Sequence, residues 1–549
     1  MLAVSFASAQ PRDPAEASAA AEFVTPGISY ARVDWRAALD QLASEVNARS
    51  DASGFLNFTL GRRPQRFDQR RAPALVQLNA LMAPLFPAIG LSPVPVLLPF
   101  DVAAWIADRA AGAIDPSPAR YQVNFRAVDV FQAGAAGYDA VFSMEPNATA
   151  DLPARIFTPP VEVHLTGSLL TYDIADPIAG RGEPVKALAA QYPDLRRLIR
   201  EGFVRYAFTR FGVSYVVSIN CLDSTPRRKR LACREAYPVA ERFLKALRVA
   251  GGTPAAPRAN IASTVAPRPQ TAAANFIFHT PGDIIPGSGY RGKGGHADRM
   301  VYSQIRFPVG QAPVYINSQL YRARLNCVAA AAGSGGDGTP GACREAGVTR
   351  NTTESTADNY AYPWRDNFCE RRDFEVGFCP GGWGHQGQDL RPVSCTVRNG
   401  GSGGCQPLLY PVVAARHGAI IRAPKQHGAY LVVNERNEHV RFRYVHMDPE
   451  RMDEDGVLNG RRVAEGEEIG KVANYQDRAG GTTTHLHFDI QVFTRDGWIW
   501  VNPYATLIAS YEQLLGGRGR ELPPAAAPAP QPETATPVPP EHAQEGAGQ

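Results

Sequence analysis

Hydrophobic and polar positions change period several times along the chain. From Val33 to Asn47 the apolar residues Trp35, Ala38, Leu39, Leu42 and Val46 recur at helical spacing and predict an amphipathic helix. Val161 to Asp173 and Phe203 to Ile219 are rich in β-branched and aromatic residues and predict strands. Val239 to Val249 returns to a helical period and is stopped by Gly251-Gly252. The segment 28–252 therefore predicts an α+β domain without recognisable chemistry. Its histidine, His164, sits in an apolar strand and reads as a packed residue. A Pro- and Ala-rich linker is expected at 253–274, lead-in strands and a Gly-rich loop at 275–359, and a Pro- and Ala-rich disordered tail at 517–549.

Between these lies 360–510, where short apolar runs alternate with turns. Ala419–Arg422, Ala429–Asn434, Val440–Met447, Glu468–Ala473, His485–Phe493 and Trp498–Val501 are all candidate strands, and no long helical pattern interrupts them. The expectation is an antiparallel sheet domain behind an α+β domain.

Chemistry enters at two places in that sheet. Gly384-His385-Gln386-Gly387-Gln388-Asp389 gives a His and an Asp four residues apart in a Gly-rich turn. About a hundred residues on, His485, His487, Asp489 and Gln491 share one face of a strand whose other face is Leu486, Phe488, Ile490 and Val492. Two imidazoles and a carboxylate suit a zinc ion that keeps a position open for water, so His385, Asp389 and His487 are candidate ligands. Peptide hydrolysis also needs groups to move a proton and to stabilise the oxyanion, and His446 and His485 are the candidates. His446 is expected to share a strand face with Phe442 and Tyr444. His417, His427 and His439 lie near turns among charged residues and read as surface positions; His279 and His296 precede the domain and are set aside.

Composition narrows the class. The net charge of +4 from 57 basic and 53 acidic residues is weak, the basic run Arg227–Arg230 is short, and nothing suggests nucleic acid. No apolar run reaches the ~18 residues of a membrane span. The leader, 1–27, carries an Ala7-Ser8-Ala9 step like that before a signal cleavage site, without a basic start. Eight cysteines fall into neighbours, Cys221 with Cys233, Cys327 with Cys343, Cys369 with Cys379 and Cys395 with Cys405, although Cys379 with Cys395 is an alternative. Local disulfides and an exported, periplasmic setting are expected. Two further patterns carry no chemistry. Gly287–Gly294 imitates a phosphate loop but has Gly294 where a hydroxyl is required, and Gly400–Gly404 is a flexible Gly-Ser loop.

His385-x-x-x-Asp389, then Tyr444-x-His446, then a Gly/Thr-rich loop into His485-x-His487 with Phe488 and an acidic residue, resembles the lysostaphin/LytM-type zinc metallopeptidases, over roughly Gly382 to Leu507. Val463 to Gly470 is similar to the family's turn before the His-x-His loop. The resemblance implies that His385, Asp389 and His487 bind Zn2+, that His446 and His485 are the non-ligating catalytic pair, and that peptidoglycan peptide bonds are the substrate. Three departures remove no ligand: Gly480–Thr484 replaces the usual Thr-Gly-Pro lead, a Cys395–Cys405 loop is added, and a Cys-bearing segment stands upstream of His385 where a Gly-x-Arg strand is usual. The alternative function is a non-catalytic, wall-associated regulator of another hydrolase, a role whose bearers in this family typically lack ligands. For the α+β domain, wall binding, partner binding and contact with the active-site groove are all open.

Overall fold

The structure is a computed structural model that describes residues 22–49, 51–58, 72–112, 117–144, 161–176, 179–221, 231–255, 268–269, 272–283, 298–316, 363–370, 372, 376–377, 379, 384–392 and 407–522. The leader up to residue 21, the Arg227–Arg230 run, the two Gly-rich patterns, His296, the chain from 523, and Cys327, Cys343, Cys395 and Cys405 lie outside the described residues.

The N-terminal part packs four helices, α1 (Trp35–Asn47), α2 (Pro73–Met82), α3 (Val102–Ala110) and α4 (Tyr237–Ala246), with a seven-stranded antiparallel sheet. Its strands are β1 (Arg126–Ala133), β2 (Gly137–Met144), β3 (Val161–Ser168), β4 (Glu183–Pro184), β5 (Arg196–Arg200), β6 (Phe203–Arg210) and β7 (Val213–Asn220), in the order β1-β2-β3-β7-β6-β5-β4. α1 is capped by Asp34, whose side chain accepts from the Ala37 amide, and it buries the five apolar positions of its stripe. The expected helix at Val239–Val249 ends early. Leu247–Gly251 is a strand paired with Val96–Pro99, because Leu247, Val249 and Ala250 are fully buried between elements and take the extended form that this pairing needs.

The C-terminal part is an eight-stranded antiparallel sheet: β8 (Val314–Ile316), β9 (Gln388–Pro392), β10 (Gly418–Ile421), β11 (Ala429–Glu435), β12 (Glu438–Val445), β13 (Arg462–Val463), β14 (Leu486–Thr494) and β15 (Gly497–Val501). The order is β8-β9-β14-β12-β11-β10-β13, with β15 also on β14. All but one of the candidate strands of 360–510 are in this sheet, and Glu468–Lys471 pairs instead with Pro411–Val413. Two helices were not evident in the pattern: α5 (Pro449–Glu454), capped by Asp448, and α6 (Tyr504–Leu515), which buries eight of its twelve residues, Thr506, Ser510 and Glu512 among them. Beyond α6 the chain forms a strand at Arg518–Leu522, parallel to Ala273–His279, where an unstructured tail was expected to begin.

Alternation in the sheet is sharp. Leu486, Phe488, Ile490 and Val492 of β14 share a core with Val440, Phe442 and Tyr444 of β12 and with Leu431 and Val433 of β11, all fully buried. The opposite face carries His487, Asp489 and Gln491, registered against Val445, Arg443 and Arg441. The N-terminal sheet covers the far end of this second face. Val130 and Val141 pack on Ile421 and Val432, and Val216 packs on Phe493 and Trp498. At the seam Asp139 accepts from Arg441 (2.5 Å) and contacts His439 (2.8 Å), while Trp498 donates to Thr166 (3.0 Å).

His439 was expected at the surface, yet it is fully buried, because alternation along β12 puts it on the covered face. Ser168, His439 and Asp139 resemble a nucleophilic triad in order, with Ser168 Oγ 2.9 Å from His439 Nδ1. All three have 0% exposure and Ser168 donates its proton to Leu170 O, so the trio is a clamp between the two parts rather than a site.

Candidate metal centre

Register brings the expected ligands together. β9 pairs antiparallel with β14 so that Asp389 stands opposite His487. The two strands approach closely at Gly387, where a Cβ would come within 2.3 Å of Phe488 O, so only glycine fits there. His385, four residues before Asp389, folds over the same spot. Its amide donates to Glu370 O (2.7 Å) and its carbonyl accepts from the Cys369 amide (2.9 Å). Cys369 is disulfide-bonded to Cys379, and Gly384 lies against that bridge, its Cβ position 2.6 Å from Cys369 Cα. Cys221 pairs with Cys233, again as expected; the Cys379 to Cys395 alternative does not form.

Three donor atoms converge. His385 Nε2 is 2.9 Å from His487 Nδ1 and 3.2 Å from Asp389 Oδ1, and His487 Nδ1 is 3.5 Å from Asp389 Oδ1. A tetrahedron with bonds of about 2.0–2.1 Å has edges near ~3.3 Å, so the triangle fits one face of such a site. Among the described residues this is the group of three donors placed to hold a metal ion.

The other ring nitrogens are occupied, which fixes each tautomer. His385 Nδ1 donates to Asn367 O (3.0 Å). His487 Nε2 donates to Asp489 Oδ2 (3.2 Å), and Asp489 accepts in turn from Arg443 Nε (2.6 Å) and Trp500 Nε1 (2.8 Å). Sequence reasoning placed Asp489 on the right face but gave it no role; Arg443 and Gln386, which hydrogen-bond to each other, were missed altogether. The alternation of β12 could have found Arg443, since it falls on the face of His487.

His446 reaches the centre by a route that the strand period does not predict. Val445 registers with His487, so a continuing strand would send His446 into the core with Phe442 and Tyr444. Instead His446 is left-handed (φ 72°), which ends β12 and turns the ring towards the ligands. Its ring lies 4.6 Å from that of His485 and 6.2 Å from that of His487. His446 Nδ1 donates to Tyr475 O (3.0 Å) and His485 Nδ1 to Thr483 O (2.6 Å). His427 was read as a surface residue, but it is half-buried and stacks on His446 at 5.9 Å. His417 is exposed beside Glu435, and His279 is buried against Arg365, outside the cavity.

Burial dominates the electrostatics. It holds His385 down to about 4, and it lowers His446, His485 and His427 as well, so these rings are neutral and able to accept a proton or an ion. For His487 burial works the same way, but hydrogen bonds to Asp389 and Asp489 outweigh it and raise the value. Burial alone would raise Asp389, yet the neighbouring His385 and His485 hold it well below the usual carboxylate range. The centre opens into a cavity of about 440 Å³, lined by the five sequence-predicted residues together with Arg372, Gln386, His427, Arg443, Gln476, Asp477 and Thr482 among others.

The profile of Peptidase family M23 matches residues 406–503, so this C-terminal part of the chain is similar to that lysostaphin/LytM-type family. His385 and Asp389 precede the matched span and reach it through the β9–β14 pairing. A solved structure from Ruminococcus gnavus, described as a candidate glycyl-glycine endopeptidase lytM, is 21% identical over 25% of this chain and 50% of that one, with a TM-score of 0.18. A search of curated proteins returns no match.

Proposed function

We propose that this protein is an exported zinc metalloendopeptidase that hydrolyses peptide bonds in peptidoglycan cross-links or stems. The observation that carries the reading is the convergence of His385 Nε2, Asp389 Oδ1 and His487 Nδ1 within 3.5 Å of one another, beside two imidazoles whose Nδ1 atoms are bound to main-chain carbonyls, His485 Nε2 lying 3.4 Å from Asp389 Oδ1. The substrate class comes from the M23 family. Export is supported by the two disulfides, which belong to oxidising compartments; among the described residues no helix is long and apolar enough to cross a membrane.

His385, Asp389 and His487 would hold the ion, which supplies Lewis acidity that polarises a carbonyl and makes water nucleophilic near neutral pH. His446 and His485 each donate Nδ1–H to a main-chain carbonyl, so each presents a basic Nε2. One takes the proton of the attacking water and later returns it to the leaving amine. The other, when protonated, donates to the oxyanion. Asn367 O and Asp489 keep the ligating rings in the tautomers that point Nε2 and Nδ1 at the ion.

The purified protein with zinc should release peptide fragments from peptidoglycan, read by mass spectrometry, and a chelator should stop the release. His485→Ala should abolish it while retaining stoichiometric zinc. Full activity in that variant removes His485 from the mechanism, and stoichiometric zinc with no cleavage by the wild type favours a regulator instead.

A further inference from the structure

We propose that the substrate carries a free carboxylate on a residue flanking the scissile bond, and that Arg372, with Arg443 beside it, recognises that carboxylate. The inference rests on the peptidase reading and narrows its substrate class. Both guanidiniums line the same cavity as the three ligand atoms. Arg372 Nη2 lies 3.7 Å from Asp389 Oδ2 and 3.1 Å from Glu370 Oε2, with a fifth of its side chain exposed (20%). Arg443 is clamped through Nε by Asp489 and through Nη2 by Gln386, and its guanidinium rests 4.9 Å from the Trp500 ring centroid. These bonds use Nη2 of Arg372 and Nε and Nη2 of Arg443, and Arg443 is hydrogen-bonded to Tyr430 besides, so the further N–H groups for a ligand are those of the Arg372 fork.

The cavity lining itself carries two guanidiniums, Arg372 and Arg443, and two carboxylates, Asp389 and Asp477. Glu370 and Asp489 stand behind the arginines and hold them in place. Asp477 also lines the cavity, with Gln476 and Thr482, in the loop that leads to His485. A peptide carbonyl offers a guanidinium a single neutral acceptor. A carboxylate accepts a paired N–H fork, the geometry that distinguishes arginine from lysine. Because Arg372 touches the Asp389 carboxylate itself, the group that it reads lies within about one residue of the cleaved bond.

The test uses pairs of stem-peptide analogues that differ only in a carboxylate against a carboxamide, on the residue to either side of the cleaved bond. For one pair the wild-type protein should favour the carboxylate member roughly 10- to 100-fold in kcat/KM, mostly through KM. Arg372→Gln should bring that ratio towards one, and Arg372→Lys should restore part of it. Calorimetry on metal-free protein should show the same preference in binding. Equal rates and equal binding for all pairs would overturn the inference, as would a ratio that Arg372→Gln leaves unmoved. If neither peptides nor intact peptidoglycan are cleaved, the peptidase reading fails, and the calorimetric preference still decides whether this carboxylate site exists.

Discussion

His487 can give an ion only one of its ring nitrogens, and Asp489 decides which. The carboxylate accepts from Nε2, is itself fixed by Arg443 and Trp500, and so leaves Nδ1 facing His385 and Asp389. Asp489→Ala should therefore weaken zinc binding by about 10–100-fold, measured by competition with a chromogenic chelator, with the sheet still formed. An unchanged affinity would make Asp489 a packing residue. The imidazoles also set a pH dependence. Those of His385, His427, His446 and His485 have lowered values, so between about 4 and 6.5 the unfolded chain binds protons that the folded one refuses. The metal-free protein should lose melting temperature as pH falls through that window; among these imidazoles His487, raised, opposes the trend, and so do the buried carboxyls of Glu45 and Glu438, also raised. A flat profile would contradict the burial argument. His385, Asp389, His485 and His487 were legible in sequence because spacing along one strand or turn reports them. Asp489's role, Arg443 and His427 were not, because their partners come from other strands and only register reveals them.

At the scale of elements, the disulfide loop is what places the first ligand. Asn367 O, the Cys369 amide and Glu370 O all bond to His385, and the Cys369–Cys379 bridge closes the segment that carries them. Cys379→Ser should raise hydrogen exchange at the His385 amide and lower zinc affinity, whereas Cys221→Ser should do neither. Equal effects from the two would mean that the bridges act only on global stability. The period of two predicted the strands well, and it failed at His446 for a local reason: the residue is itself left-handed, and that turns its own side chain off the face that alternation assigns. A stretch of sequence that alternates up to Val445 cannot show where alternation stops. α6 was hidden because it buries polar residues, Thr506, Ser510 and Glu512, along with apolar ones, which blurs the amphipathic signature.

Across the whole molecule, the N-terminal sheet and the sheet that carries the His-Asp-His group form one packed body. The N-terminal sheet lies on the face that bears His487, beginning at the row of Gln491 and Arg441, which is about 13 Å along the strand from His487. It also touches the disulfide loop: a Cβ at Gly377 would come within 2.4 Å of Arg200 Nε. Asp139 sits fully buried at the seam. Burial alone would raise it, but the charges of Arg441 and His439 outweigh that and hold it below the usual range. Asp139→Ala leaves those two partners buried without their carboxylate and should cost about 3–5 kcal/mol, seen as a lower calorimetric melting temperature. A loss under about 1 kcal/mol would mean that water reaches the seam. None of this was legible in sequence, where His439 read as a surface residue, because the covering sheet lies some three hundred residues upstream.

The central claim is that side chains distant in sequence gather around one divalent ion, and X-ray absorption at the zinc edge of the loaded protein tests it most directly. The account predicts one ion per chain with nitrogen and oxygen neighbours at about 2.0–2.1 Å and no sulfur, and loss of a nitrogen neighbour in His385→Ala. Sulfur in the first shell, or a spectrum that His385→Ala leaves unchanged, would contradict it.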